Sequence, residues 1–233
     1  MAFLHSGCYK HSGLLVADSS EREATRTPIE PANGSSSGAA RPIDAVETLG
    51  RSGCCPDARH TVRMSVVFEG LVHTAYMQLY LTTGQDQFLL PDDAFVGQVN
   101  GLCGAANPGA LFLVTATHTG GIPVRIVLLD DEPDLGDWEE IVDVSFVPSE
   151  RGTAFSGWAD DPSATFDLPA ASYRVRWSGR GMDAARDATA TEGAPAMDSY
   201  ELALWPATVA PDRIVRRTSA AADYWHNTGF RRG

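Results

Sequence analysis

The chain has little of what most catalytic and membrane-bound proteins need. No run approaches the roughly 18 apolar residues of a transmembrane helix. The motifs Gly-x-Ser-x-Gly and His-Glu-x-x-His and the phosphate-binding loop are absent, and with them the common signatures of hydrolases, zinc proteases and nucleotide-binding enzymes. Only 4 cysteines are present, and Cys103 alone follows residue 63, so no disulfide framework can hold the later part of the chain. These absences predict a protein that is not an enzyme and has no cofactor.

The first 63 residues are predicted to be a disordered extension. Between Ser19 and Ala40 only Ile29 is a sizeable aliphatic residue, so this stretch cannot bury enough apolar area to offset the entropy of ordering. The residue composition changes at Met64, and one interpretation is that translation starts there. Residues 64–233 are the predicted domain. Because the first 20 residues lack a secretory signal pattern, a cytoplasmic location is expected.

The extension also contains a group of histidines and cysteines. His5, Cys8 and His11 have zinc-like spacing, but the pair Cys54–Cys55 with His60 matches no usual zinc motif. We interpret the group as chance clustering and predict no metal site.

Negative charge is concentrated in the middle of the chain. The net charge is −12, and residues 1–63 contribute none of it, since they hold 7 basic and 7 acidic residues. Residues 86–161 hold 14 acidic residues against Arg125 and Arg151. An acidic surface repels nucleic acid and anionic membranes and attracts basic proteins. The expected partner is therefore a basic protein, with neither nucleic acid nor membrane as a partner.

Short alternating runs predict an all-β fold, an antiparallel β-sandwich. Two of them end in tryptophan, Tyr173–Trp177 and Tyr200–Trp205, and place large apolar residues at every second position. In the first, Tyr173, Val175 and Trp177 should face the core, and Arg174 should be dispensable. Residues 110–115 and 122–129 are predicted to form a hairpin across a Gly-Gly turn, whereas residues 183–191 give only a weak helical signal. Many short strands at regular spacing favour a sandwich or barrel.

The run from residue 72 to residue 82 is predicted to be one strand. Its alternation suggests that one set of residues faces the core, including a buried histidine whose ring nitrogens are hydrogen-bonded. That set is His73, Ala75, Met77, Leu79 and Leu81.

A dense acidic segment follows the residue 122–129 run. A calcium loop needs oxygen ligands at set spacing and usually a glycine at the sharp turn, and Pro133 interrupts this segment instead. The remaining interpretations are a solvated connection or a patch that docks a basic partner. The candidate partner-binding residues are Asp130, Asp131, Glu132, Asp134, Asp137, Glu139 and Glu140.

Two tryptophans suggest an alternative site. Trp158 and Trp225 are candidates for binding a carbohydrate or small ligand, since aromatic rings serve as platforms for sugars. Asp160 and Asp161, next to Trp158, are adjacent and so cannot face one another across a sugar while both lie in a strand. The arginines near the C-terminus either bind the protein's own acidic region or solubilise an end of the chain.

The domain resembles the competence protein J family, small bacterial inhibitors of a competence-associated nuclease. The likeness rests on Phe166-Asp167-Leu168-Pro169-x-x-x-Tyr173 followed by a Trp-ending strand, and on the acidic-to-Val-x-Val-x-Phe-Val stretch from Glu139 to Val147. Residues 66–81 are similar to the family's first strand. The resemblance implies a non-catalytic β-sandwich that binds protein. Taken with the acidity, it suggests a module that binds and inhibits a basic partner such as a nuclease or toxin.

Overall fold

Strands dominate the part of the chain that the structure describes. The computed structural model describes residues 62–84, 89–158, 162–169, 171–188 and 195–227. The strands are β1 (Met64–Ala75), β2 (Gln78–Thr83), β3 (Cys103–Gly104), β4 (Ala110–Val114), β5 (Thr119–Leu129), β6 (Glu140–Phe146), β7 (Gly152–Gly157), β8 (Ala164–Asp167), β9 (Tyr173–Arg180), β10 (Ser199–Pro206) and β11 (Arg213–Arg216). The helices are α1 (Pro91–Ala94), α2 (Met182–Asp187) and α3 (Ala220–Asn227). The predicted all-β class is confirmed. The predicted extension, but for its last two residues, lies outside the described residues.

The strands form one curled, hydrogen-bonded sheet with two halves. Strands β1 and β2 pair only at Ala75 and Gln78. On one side of this junction the order is β11-β6-β9-β10-β5-β1, which we call the six-stranded half. On the other side β2 pairs with both β4 and β7, and β3 and β8 complete the five-stranded half. All pairs are antiparallel except β10 with β5, so the sheet is mixed. Within the described residues, no helix is long and apolar enough to cross a membrane.

The two halves pack face to face around one core. Trp177 of β9 donates its Nε1–H to the carbonyl oxygen of Val114 in β4, at 3.1 Å, although these strands are not neighbours in the sheet. Both halves contribute fully buried side chains, for example Ile126 and Leu202 from one and Leu79 and Phe112 from the other. Each such side chain stabilises the fold by roughly 1.5–3 kcal/mol. The sandwich is thus a single sheet that folds back on itself.

The predicted strand over residues 72–82 is wrong, because the chain reverses inside it. Tyr76 and Met77 have φ values of 56° and 63°, and positive φ at both central residues is what a two-residue type I′ hairpin turn requires. The reversal changes which residues face the core. Val72 is buried and His73 is exposed, the opposite of the predicted arrangement.

The predicted hairpin of residues 110–115 and 122–129 is also wrong. Strand β4 pairs with β2 and β3, whereas β5 pairs with β1 and β10. The chain crosses between the halves at Ala116 and Thr117, whose backbone N–H groups donate to the buried Asp198 carboxylate at 3.1 and 2.9 Å. The two Trp-ending runs, by contrast, are β9 and β10, and they pair with each other.

Candidate functional site

The acidic segment connects β5 to β6 on the outer face of the six-stranded half, and we call residues 130–139 the acidic loop. Because Trp177 and its alternate neighbours face the core, Arg174 and Arg176 lie on the outer face. Arg176 nevertheless is buried. Its guanidinium donates to the carbonyl oxygen of Pro133 and to Oε1 of Glu132, each at 2.8 Å. The loop is therefore attached to the sheet rather than surrounded by solvent.

A buried carboxylate completes this attachment. Asp143 of β6 has a fully buried side chain that accepts from Nε and Nη2 of Arg176 at 2.8 and 3.0 Å. Arg213 of β11 binds the same carboxylate at 2.7 Å and reaches Glu132 at 2.7 Å. Burial alone would raise the pKa of Asp143, but hydrogen bonds and charge from the two arginines outweigh it and lower that pKa. Hydrogen bonding to Asp143 in turn raises the pKa of Arg213.

Two further arginines hold the far end of the acidic loop. Arg216 donates Nη1–H to the carbonyl oxygens of Gly136 and Trp138 at 3.1 and 2.5 Å. The guanidinium of Arg180 lies 4.1 Å from the centre of the Trp138 ring and 3.4 Å from Asp137. The C-terminal arginines were expected either to bind the protein's own acidic region or to solubilise an end of the chain. Arg213 and Arg216 bind the acidic region.

Two of the candidate residues serve the fold. Glu140 is fully buried, and its Oε1 accepts from the backbone N–H groups of Thr218 and Ser219 at 2.9 and 2.6 Å. It cannot contact a partner, so it leaves the candidate set. Glu139 is exposed, and its Oε2 accepts from the backbone N–H of Gly181 at 2.7 Å, which ties β6 to the start of α2.

The other candidates lie at the protein surface. Asp130 accepts from the backbone N–H of Arg63 at 2.8 Å, and Glu132 joins the arginine network. Asp131, Asp134 and Asp137 are exposed. The site is thus a loop with a rigid, arginine-bound base and exposed aspartates, of which Asp130 also binds the backbone of Arg63. Sequence reasoning located the loop but missed its base, because Arg213 and Asp143 are 70 residues apart.

The alternative tryptophans lie in different surroundings. Trp158 is 40% exposed, and its ring packs edge-on against Tyr76, with centroids 5.1 Å apart. Tyr76 also contacts the ring of His118, at 5.5 Å. Trp225 of α3 is half-buried against the core. The group of Tyr76, Trp158 and His118 was missed from the sequence, since the turn that presents Tyr76 has neither the asparagine nor the glycine that signals such turns.

Cys103 does not lie in the surroundings of a reactive cysteine. Cys103 is fully buried, and burial raises the pKa of its thiol, which disfavours the nucleophilic thiolate. Within the described ranges, no group of three or more His, Cys, Asp and Glu residues could hold a metal ion. The histidines and cysteines of the first 60 residues lie outside those ranges.

Comparison with known proteins gives a partial likeness of fold. No family model matches the chain, and no curated protein matches it. One similar solved structure is ComJ from Bacillus subtilis, described as an inhibitor of the DNA degrading activity of NucA, at 16% identity and a TM-score of 0.45; the match covers 62% of this chain and 98% of ComJ. Another is the protein of crocagin biosynthetic gene J, at 17% identity and a TM-score of 0.42, over 62% of this chain and 99% of that one. The resemblance to competence protein J inferred from residues 139–177 is confirmed as a partial structural resemblance.

Proposed function

We propose that this protein is a non-catalytic interaction module that binds a basic protein through its acidic loop. The observation that supports the proposal is the arrangement of that loop. Arg176 and Arg216 bind its backbone carbonyl groups and Arg213 binds the Glu132 carboxylate, while Asp131 and Asp134 remain exposed. Carboxylates on a rigid base lose little conformational freedom when a partner binds. They also steer the encounter with a positively charged surface.

The finer part of the proposal concerns the partner. A nuclease or a nucleic-acid-directed toxin carries basic residues where it binds phosphates, and a protein of net charge −12 is complementary to such a cleft. Occupying the cleft would inhibit the enzyme by excluding its substrate. Inhibition of a DNA-degrading activity is the role named for ComJ; for this chain it is part of the proposal.

Site-specific photo-crosslinking tests the proposal. A photoreactive amino acid at position 134 should capture a basic protein from the native host, and the same amino acid at position 165 should not, because Thr165 is an exposed residue of β8 in the five-stranded half. The purified captured protein should then lose nuclease or toxin activity when this protein is added. Capture of an acidic protein, or equal capture from both positions, would contradict the proposal.

A second candidate function is binding of a carbohydrate or small ligand. The exposed, edge-on pair of Tyr76 and Trp158 favours it, because aromatic faces open to solvent stack on sugar rings. Titration with soluble polysaccharides should quench tryptophan fluorescence, and Trp158→Ala should abolish the quenching while Trp225→Phe leaves it unchanged. Absence of quenching in the native protein would remove this candidate.

A further inference from the structure

A second surface feature, which sequence reasoning did not identify, lies beside the acidic loop. It is a groove of about 390 Å³, and small and aliphatic residues predominate along it. One wall is the segment that precedes β4, with Ala106 and Asn107; the other is the β10–β11 connection, with Val209 and Pro211. The end of β6, with Val147, closes it. Val147 and Val209 are 51% and 67% exposed, so the groove has apolar edges open to solvent.

The walls of the groove are fixed before any partner binds. Asp212 Oδ2 accepts from the backbone N–H groups of Val99 and Asn100, each at 2.8 Å. These bonds tie the β10–β11 connection to the segment between α1 and β3, whose Gln98 also lines the groove. Arg174 Nη1 donates to the carbonyl oxygen of Ala210 at 2.9 Å, and this contact holds the second wall against the sheet. A groove that is already formed costs little reorganisation on binding.

The groove lies beside the arginine network that holds the acidic loop. Asp212 lines the groove, and the next residue, Arg213, binds Glu132 of the acidic loop at 2.7 Å. On β6, Ser145 lines the groove, and Asp143, two residues away on the same face, belongs to the network under the loop. Ser145 and Asp143 are therefore about 7 Å apart along the strand. An apolar depression beside charged residues matches the core and rim of a protein interface.

We propose that the groove receives an aliphatic side chain from an extended segment of the basic partner. Arginines or lysines that flank this side chain in the partner then reach Asp131 and Asp134. The inference rests on the proposed function, because the acidic loop beside the groove is what selects a basic partner. It adds an apolar anchor, which contributes affinity that salt does not screen.

Two synthetic peptides test the inference with the full chain: Arg-Arg-Gly-Leu-Gly-Arg-Arg and the same peptide with glycine in place of leucine. Titrations followed by amide NMR shifts should give about tenfold tighter binding of the leucine peptide, the expected result of burying one leucine side chain. Its shifts should include the amides of residues 144–147 and those of Val209, Ala210 and Asp212. At 0.5 M NaCl both peptides should bind more weakly, because salt screens the arginines that they share, and the tenfold ratio should persist.

Variants assign the effect to the groove. Val147→Asp and Val209→Asp change exposed residues and should reduce the ratio to about one, and the matched control Leu71→Asp, at an exposed position on β1, should leave it at tenfold. Equal affinities of the two peptides for the native protein would overturn the groove proposal and leave the acidic loop untouched. The double variant Asp131→Asn with Asp134→Asn tests the proposed function separately. If it leaves binding of the glycine peptide unchanged, that result counts against the proposed function. If the leucine peptide still binds about tenfold tighter than the glycine peptide to this variant, that result upholds the groove. A concentration-dependent dimer that Val209→Asp abolishes would assign the groove to a second copy of the chain and overturn the proposal.

Discussion

The two faces of the six-stranded half are buried in different ways. On the inner face of β9, Tyr173, Val175 and Trp177 pack into the apolar core. On the outer face Arg174 and Arg176 are almost as inaccessible, but carboxylates and backbone carbonyl groups surround them. Alternation along a strand therefore indicates which residues share a face, and it does not indicate whether the polar face meets solvent. Here the polar face is the platform to which the acidic loop is attached.

The two Trp-ending strands show the same contrast. Trp177 stacks on Tyr200 with ring centres 4.8 Å apart and reaches the opposite half through Val114. Trp205 lies on the outer face, in a small cluster with Val127 and with the Arg176 guanidinium 5.3 Å from its ring centre. One tryptophan joins the two halves, and the other supports the underside of the arginine network.

The largest expected effect tests the inner face. Trp177→Ala should lower the free energy of unfolding by about 3–5 kcal/mol, because it leaves a cavity and removes a hydrogen bond between the halves. Trp205→Ala should lower it less, since the second cluster is smaller and lies nearer the surface. Urea unfolding of both variants measures the difference. Equal losses would mean that the two faces contribute alike, and the comparison would fail.

The next effect tests the outer face through pH. Asp143→Asn should destabilise the protein by about 3 kcal/mol at pH 7, because it leaves Arg176 and Arg213 without their buried counter-charge. The pKa of Asp143 is lowered in the folded state from the ordinary value of 3.8, so its contribution is complete above that value and is lost as pH falls through the folded pKa. The stability difference between native protein and variant should accordingly shrink in acid. Urea unfolding from pH 7 to pH 2.5 measures it, with Asp131→Asn as the exposed control; a difference that does not change with pH would contradict the prediction.

A smaller effect tests a residue whose importance the sequence understates. Arg174→Ala was expected to cost little, since its position alternates with the core residues. In the structure its Nη1 donates to Ser145 Oγ at 3.0 Å and to carbonyl oxygens of Ala210 and Pro211 at 2.9 and 3.1 Å. Removal should therefore lower the free energy of unfolding by about 1–3 kcal/mol, with Arg186→Ala, in an exposed part of α2, as the matched control. A loss below about 0.5 kcal/mol in thermal or urea unfolding would restore the expectation from the sequence.

Local patterns predicted the strands better than their pairing. Strands β4, β9 and β10 were located well. In β9 and β10, burial of one face leaves an alternation in the sequence. A pairing of β4 with β5 was predicted wrongly, because the distant Asp198 binds the chain at Ala116, where it crosses between the two halves. The turn between β1 and β2 was missed because Tyr76 and Met77 are unusual turn residues. The candidate site likewise has one part that local sequence predicted and another part that it did not. Charge density located the acidic loop, but contacts between residues distant in sequence, such as Arg213 with Glu132, decide which of its carboxylates are bound by the protein's own arginines.

The smallest expected effect on stability separates the exposed aspartates from the arginine-bound base of the loop. Reversing Asp131 and Asp134 to lysine should change the free energy of unfolding by no more than about 0.5 kcal/mol, since both side chains are exposed. Glu132→Lys, the matched comparison, should destabilise the protein measurably because the new ammonium would face Arg176 and Arg213.

The double reversal should slow association with the basic partner at low salt and have little effect on dissociation, because exposed charges mainly steer the encounter. At high salt the two proteins should associate at similar rates, since screening acts over roughly 8 Å at physiological ionic strength and less in stronger salt. An association rate that the reversal leaves unchanged at low salt would show that these aspartates only solvate the loop, and the case for a basic partner at this surface would then be lost.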